Sequence, residues 1–322
     1  MNAFEYVNPS NLQDVPKLLS QKRDRKSVVM AGGIDLLGEM KDNLVSPTRL
    51  VNIKALDLRY IRHSKEGVHI GATTTLTEVA SDGEIGKTYT ALAEAAESVA
   101  SLQIRNVGTI GGNLCQRPRC WYYRGEEFHC LKKGGHLCFA VEGENKYHAI
   151  MGGGPCHIVH PSDTAPALIA LQATLKIQGP NGERTVPAAD FFVLPEENIY
   201  QETVLMPNEV VSELFVPKPK AGTKSTYLKF KEKGSMDFAL AAAAVVLRVE
   251  DGICRAAQVV LGGVAPKPWQ ADASALVGQS VTEDRAVAFA NAVLKDASPL
   301  RDNAFKVTLV KTMIKRGVMA LV

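Results

Sequence analysis

The sequence predicts an α+β fold: a small αβ piece, a larger α+β piece, and a C-terminal β-sheet with helices. Three observations carry the prediction. A β-glycine-helix-β order occupies the N-terminal stretch to about residue 55. A turn signal at Gly179-Pro180-Asn181-Gly182 sits between short apolar runs, and two long apolar runs near the C-terminus flank Glu250-Asp251-Gly252. At 322 residues the chain is too long for one ordinary core, so two or three packed subdomains are expected. The boundaries fall at 1–55, 56–217 and 218–322.

Composition narrows the function classes. A hydrophobic content of 46% with 22% charged residues is that of a globular domain, not of a disordered chain. The formal charge is only +3 and there is no long basic run, which argues against nucleic acid as a partner. Met1-Asn2-Ala3-Phe4-Glu5-Tyr6 has no charged region followed by an apolar one, and no stretch approaches the roughly 18 apolar residues of a membrane span. The expectation is a cytoplasmic protein without a membrane span, which a partner carrying an export signal could take to the periplasm. Reduced cysteines are the rule in the cytosol, so ligation is a better reading of them than disulfides.

Taken in order, residues 11–22 carry Leu12, Val15, Leu18 and Leu19 at helical spacing behind Asn11 as a cap. The apolar run Ser27–Ala31 reads as a strand, ends in Gly32-Gly33-Ile34-Asp35-Leu36-Leu37, and is followed by a second strand, Arg49–Ile53. A glycine pair after a buried strand lets backbone N–H groups approach an anion, though a plain tight turn has the same sequence. The pair does not make the G-x-G-x-x-G dinucleotide fingerprint. Residues 67–72 read as a strand and Thr90–Ala100 as a helix with alanine packing positions.

A second glycine turn, Thr109-Ile110-Gly111-Gly112-Asn113, follows about 80 residues after the first. Two such turns could clamp one pyrophosphate from both ends. Beyond it, Thr164–Ala173 reads as a helix, 175–177 and 184–186 as a hairpin, and Pro217–Gly222 as a linker. Residues 238–249 and 253–264 are long strands, and a helical tail puts Val307, Val310, Met313 and Ile314 on one face.

The segment between the second glycine turn and His160-Pro161-Ser162-Asp163 holds five of the six cysteines: Cys115, Cys120, Cys130, Cys138 and Cys156. Soft thiolates hold zinc or iron–sulfur clusters. There is no C-x-x-C knuckle for zinc and no ferredoxin spacing, so spacing alone does not choose. Arg117, Arg119, Arg124, Lys132 and Lys133 could offset the charge of a thiolate-ligated cluster. His129, His136, His148, His157 and His160 share the segment, where single histidines read as polar surface. Ser162-Asp163 reads as a helix cap or as an acceptor for a ribose or adenine. No G-x-S-x-G elbow supports nucleophilic hydrolysis.

Together these residues resemble the FAD-binding subunits of the molybdenum hydroxylase family, which includes xanthine dehydrogenase, carbon monoxide dehydrogenase and aldehyde oxidoreductases. The likeness spans nearly the whole chain. Ala31–Leu37 is similar to the family's A-G-G-T-D/N-L-L loop, and Thr109–Asn113 to its T-I-G-G-N loop. The resemblance implies a FAD site with Val29, Met30, Ala31, Gly32, Gly33, Ile34, Asp35 and Leu36 on one side and Thr109, Ile110, Gly111, Gly112 and Asn113 on the other. It implies further that Asp163 contacts the adenosine side, that Lys229 of Tyr227-Leu228-Lys229 lies near the flavin, and that Val211 lies near the isoalloxazine. Ile34 stands where the family usually has Thr, and Lys233 where it usually has Arg.

Most members join the second glycine loop to Ser-Asp through a short loop, whereas this chain inserts about 40 residues. The insertion resembles that of the periplasmic aldehyde oxidoreductase flavoprotein subunits, which implies a [4Fe-4S] cluster on Cys120, Cys130, Cys138 and Cys156, with Cys115 and Cys254 free. The flavoprotein subunit of 4-hydroxybenzoyl-CoA reductase is similar too, with different cysteine spacing. The implied task is electron transfer, from a molybdenum-cofactor subunit and a [2Fe-2S] subunit through FAD to an external acceptor, with no residue here acting as a substrate acid or base. Two other readings remain: a zinc-stabilised binding protein without flavin, and a stand-alone flavin oxidase.

Overall fold

A computed structural model describes residues 1–322. Three sheets divide the chain. The first holds β1 (Glu5–Val7), β2 (Ser27–Met30) and β3 (Arg49–Asn52) in the order β1-β3-β2, all parallel. Parallel neighbours need a crossover; that between β2 and β3 contains the first glycine turn and the helix Leu36–Lys41. The expected helix over 11–22 is shorter, a 3₁₀ turn at Leu12–Asp14 followed by Val15–Leu18. Pro16 has no N–H to donate back, so it can only start a helix. Asn11 does cap, accepting from Asp14 N–H at 3.0 Å.

The second sheet is antiparallel throughout: β4 (Ile61–His63), β5 (Gly67–Gly71), β6 (Thr174–Gly179), β7 (Gly182–Pro187) and β8 (Val210–Pro217), in the order β4-β5-β8-β6-β7. The hairpin β6–β7 turns at Pro180-Asn181 as its sequence requires. β8 sits centrally and ties residues 67–71 to residues 174–178. Val210, at its start, packs with Val15, Leu19, Val51 and Ile53 of the first piece.

The third sheet holds β9 (Thr223–Phe230), β10 (Ala241–Glu250), β11 (Ile253–Gly262) and β12 (Trp269–Ala271) in the order β12-β11-β10-β9. Both its faces are buried. Ala242 and Ala244 join the core that contains helices Thr90–Glu97 and Thr164–Ala170, while Ala243 and Val245 join the core under helices Glu283–Val293 and Phe305–Met319. Alternate residues point to opposite faces, which explains a strand apolar at nearly every position. β10 begins at Ala241 and not at 238. Asp237 accepts from Lys233 N–H at 3.0 Å and from Ser235 Oγ at 3.2 Å, turning the chain before the ladder starts.

The cysteine segment has no strand, only the helix Trp121–Arg124 and a 3₁₀ turn at Leu131–Lys133. Aromatic rings fill it, with Tyr122 edge-on to Phe128 at 4.9 Å and stacked on Phe139 at 5.9 Å. Its far end is pinned by the C-terminal helix. The fully buried Lys306 donates to the carbonyls of Tyr147, His148 and Gly263 at 3.1, 3.1 and 2.9 Å.

Candidate functional site

A cleft of about 430 Å³ opens where the first piece meets the second. Val29, Met30, Ala31, Gly32, Gly33, Ile34, Asp35 and Leu36 line one side, and Thr109, Gly111, Gly112 and Asn113 the other. Asp163, Val211 and Lys229 complete the called set. Ile110 is the exception, because its side chain is fully buried in the core of the second piece.

The two glycine turns touch. A Cβ on Gly32 would lie 2.3 Å from the Val107 carbonyl oxygen, so only glycine permits this approach. Gly33 has φ +74°, in the left-handed region. The N–H groups of Gly32, Gly33, Ile34 and Asp35 have no partner within the chain, and four free donors on one turn suit an anion. The second turn differs from the expectation of a matching clamp. There the N–H groups of Ile110, Gly111 and Gly112 are taken by Thr74 O at 2.9 Å, Ala72 O at 3.0 Å and Thr109 Oγ1 at 3.1 Å. Thr109 caps a short helix, which consumes these donors. Its glycines therefore contribute shape rather than N–H groups.

Asn113 ties the second turn to the Ser-Asp segment, its Oδ1 accepting from Ser162 Oγ at 2.6 Å and Thr164 Oγ1 at 2.7 Å. Asp163 accepts from Tyr227 OH at 2.8 Å and pairs with Lys229 Nζ at 2.7 Å. Burial pushes the Asp163 carboxyl above its ordinary range, against the pull of Lys229. The resemblance assigned Asp163 and Lys229 to different parts of a cofactor; their direct ion pair makes them one feature of the cleft.

Several cleft residues escaped sequence reasoning. Phe238, placed by its sequence in a strand, is the one aromatic ring lining the cleft, with the Arg119 guanidinium 5.1 Å from its centroid. The break between the polar run Lys231–Asp237 and the alternating residues from Ala241 was the available signal. Arg117 and Arg119 also line the cleft. Four of the five cations assigned to charge compensation meet carboxylates: Arg119 and Arg124 pair with Asp35 at 2.8 and 2.7 Å, while Arg117 and Lys132 pair with Glu202; Lys133 donates to the Gly125 carbonyl. Burial opposes ionisation of Glu39, but Arg25 and Arg117 hold its carboxyl below the ordinary value.

A second cavity of about 550 Å³ adjoins the cleft at Arg119, Asp163 and Phe238 and reaches Cys120, with Lys233 on its wall. The four called cysteines form one neighbourhood. Burial raises the Cys120 thiol to about 11, and nearby Cys138 and Cys130 act in the same direction. Cys138 and Cys156 bias each other, the Cys138 thiol toward ionisation and the Cys156 thiol toward the protonated form. His148 Nε2 lies 3.2 Å from Cys120 Sγ. No group of three or more His, Cys, Asp or Glu side chains is arranged to hold a single metal ion. Cys115 faces the cleft, and Cys254 is buried in the third core.

Fold and site thus define a two-piece cofactor-binding module with an interdomain cleft, followed by a separate sheet domain. Residues 2–219 match the FAD binding domain in molybdopterin dehydrogenase, and residues 225–321 the CO dehydrogenase flavoprotein C-terminal domain. The chain is 34% identical to the aldehyde oxidoreductase FAD-binding subunit PaoB of Escherichia coli K12, over 97% of this chain and 96% of that protein. It is 32% identical to the carbon monoxide dehydrogenase medium chain of Hydrogenophaga pseudoflava, over 98% and 96%. The solved structure of carbon monoxide dehydrogenase from that organism superposes with a TM-score of 0.79 at 31% identity, covering 99% of this chain and 97% of that one. The chain belongs to the family of FAD-binding subunits of molybdenum hydroxylases. Its relatives are named as subunits of dehydrogenases and oxidoreductases, and no helix here is long and apolar enough to cross a membrane.

Proposed function

We propose that this chain is the electron-transfer subunit of a molybdenum-cofactor oxidoreductase of the aldehyde or xanthine type. It takes electrons from a molybdenum subunit through a [2Fe-2S] subunit and delivers them by way of FAD to an external acceptor. The observation that carries the reading is the cleft, where the four free N–H groups of Gly32–Asp35 face the second glycine turn.

FAD, when bound, supplies the exchange of one- and two-electron chemistry. The chain's own residues bind and orient. Gly32, Gly33 and Ile34 donate backbone N–H groups to the pyrophosphate, and replacing the family's Thr by Ile34 removes only a hydroxyl. Thr109, Gly111 and Gly112 shape the opposite wall, Val211 and Phe238 offer apolar surface to the ring system, and the Asp163–Lys229 pair fixes polar atoms of the cofactor.

The insertion carries a [4Fe-4S] cluster on Cys120, Cys130, Cys138 and Cys156. Support comes from their shared neighbourhood and from His148 Nε2, which lies 3.2 Å from Cys120 Sγ, since hydrogen bonds to the sulfurs tune such clusters. A single zinc would draw four sulfurs to about 3.8 Å from one another, given Zn–S bonds of about 2.3 Å. The side chains do not close on a single ion in this way. A cluster spreads its four thiolates over four irons and does not require that convergence.

Anaerobic purification of the native complex tests the reading. Flavin absorption, about four iron and four sulfide per chain, and co-purified molybdenum and [2Fe-2S] subunits identified by mass spectrometry are expected. A colourless chain with one zinc and no partners would overturn it.

A further inference from the structure

The first glycine turn ends in Asp35, the residue that precedes the helix Leu36–Lys41, where an aspartate normally caps the helix's own N–H groups. Asp35 makes no such bond. Its carboxylate is turned away and held by the insertion: by Arg117 N–H at 2.6 Å, by Arg119 Nη1 at 2.8 Å and by Arg124 Nη2 at 2.7 Å. One turn further on, the buried Glu39 accepts from Tyr123 OH at 2.8 Å. Tyr123 and Arg124 end the short helix that starts at Cys120, and their N–H groups bond the Cys120 carbonyl at 3.0 and 2.9 Å. A chain of contacts therefore runs from Cys120 through Tyr123 and Arg124 to Asp35 and the glycine turn.

We infer that cluster loading and FAD binding are coupled through Asp35, an inference that rests on the two cofactors proposed above. The segment 115–160 has almost no regular structure of its own, so ligation at its cysteines adds to its aromatic packing and ion pairs in holding it in place, as in other small metal-organised segments. When it loosens, Asp35 loses all three donors. Its carboxylate is then free to turn to the unpartnered N–H groups of its own turn. A carboxylate there takes the donors that a pyrophosphate needs and repels its charge. The cluster thus keeps Asp35 out of the anion site. Because coupling is reciprocal, bound FAD retains the cluster by the same factor.

FAD titration of deflavinated protein, with the cluster intact and after its removal, reads the coupling directly. Cluster-free protein should bind FAD at least about fivefold more weakly, the lower end of ordinary two-site coupling. Should the cluster-free chain unfold, Arg124→Gln answers the same question, because it keeps all four cysteines and Arg124 does not line the cleft. That variant should weaken FAD binding while holding iron when FAD is saturating. In Asp35→Asn, which lacks the competing charge, FAD affinity should no longer depend on the cluster. Equal FAD affinity with and without cluster, or an Arg124→Gln protein with unchanged affinity, overturns the coupling. A wild-type protein that binds no flavin, or no iron, overturns the underlying reading instead.

Discussion

Asp163 and Lys229 meet at 2.7 Å with both side chains almost fully buried. The pair joins the segment after the insertion to β9, so it helps fasten the third sheet to the cleft. Removing one partner of a buried ion pair strands the other, at a cost of about 3–5 kcal/mol. Lys229→Met should therefore lose stability on this scale in urea denaturation and bind FAD poorly. The loss should depend on pH. Burial already raises the Asp163 carboxyl, and without Lys229 it rises further. An acid whose folded-state value is raised carries no penalty at low pH, where both states are protonated. As pH rises the unfolded chain ionises first, so the variant should be least stable, relative to the parent, near neutrality. Tyr227→Phe removes one hydrogen bond and should cost about 1 kcal/mol.

Gly32→Ala should separate the two glycine turns. Its new methyl group would meet the Val107 carbonyl at 2.3 Å, and backbone cannot yield as a flexible side chain does. Overpacking of this kind costs about 1–3 kcal/mol. Expressed on FAD affinity, that is a roughly 5- to 150-fold rise in dissociation constant. Gly38→Ala is the contrast, because nothing lies within 4 Å of its added methyl group. Within the helix Leu36–Lys41 it should raise thermal stability, by up to about 1 kcal/mol, and leave FAD affinity alone.

Part of the sheets was legible because its signals are local, while β1, β4, β8, β9 and β12 carried no expectation. The hairpin at Pro180-Asn181 and the long pair β10–β11 follow from turn residues between apolar runs. The glycine turns were legible for the same reason. The residues that hold the pieces together were not. Lys306 carried no expectation from the sequence, yet three carbonyls from distant segments surround it. The resemblance places Asp35 on the FAD loop, and its carboxylate binds three groups more than 80 residues away. Periodicity reports which face is buried, and it carries no record of the partner. The loss of N–H donors at the second turn was hidden similarly, since Ala72 and Thr74 lie more than 30 residues upstream.

Glu213 on β8 gathers Tyr60 OH at 2.7 Å, Arg62 at 3.0 Å, and His69 and Lys176 at 3.2 Å. Burial would raise its carboxyl, but the hydrogen bond from Tyr60 and the close approach of His69 and Lys176 push it down to about 2. A folded-state value below the unfolded one gives stability that is complete above the ordinary carboxylate range and lost as pH falls toward 2. Acid unfolding of the parent should be steep in that window. Glu213→Gln should be less stable at pH 7 and should lose less on acidification, as followed by circular dichroism.

The cysteines give the sharpest division. Ser for Cys at 120, 130, 138 or 156 should each abolish or cripple iron retention after anaerobic purification, because an iron–sulfur cluster of this kind takes four thiolates. Cys115→Ser should keep full iron and sulfide content, since Cys115 opens to the cleft and stands outside the cysteine neighbourhood. Cys254→Ser should also keep the cluster. It exchanges a buried thiol bonded to Ala256 O at 3.4 Å for a hydroxyl in an apolar core, so its cost of roughly 1–3 kcal/mol should appear in thermal stability instead. Iron loss in the Cys115 variant, or iron retention in any of the four others, would redraw the ligand set.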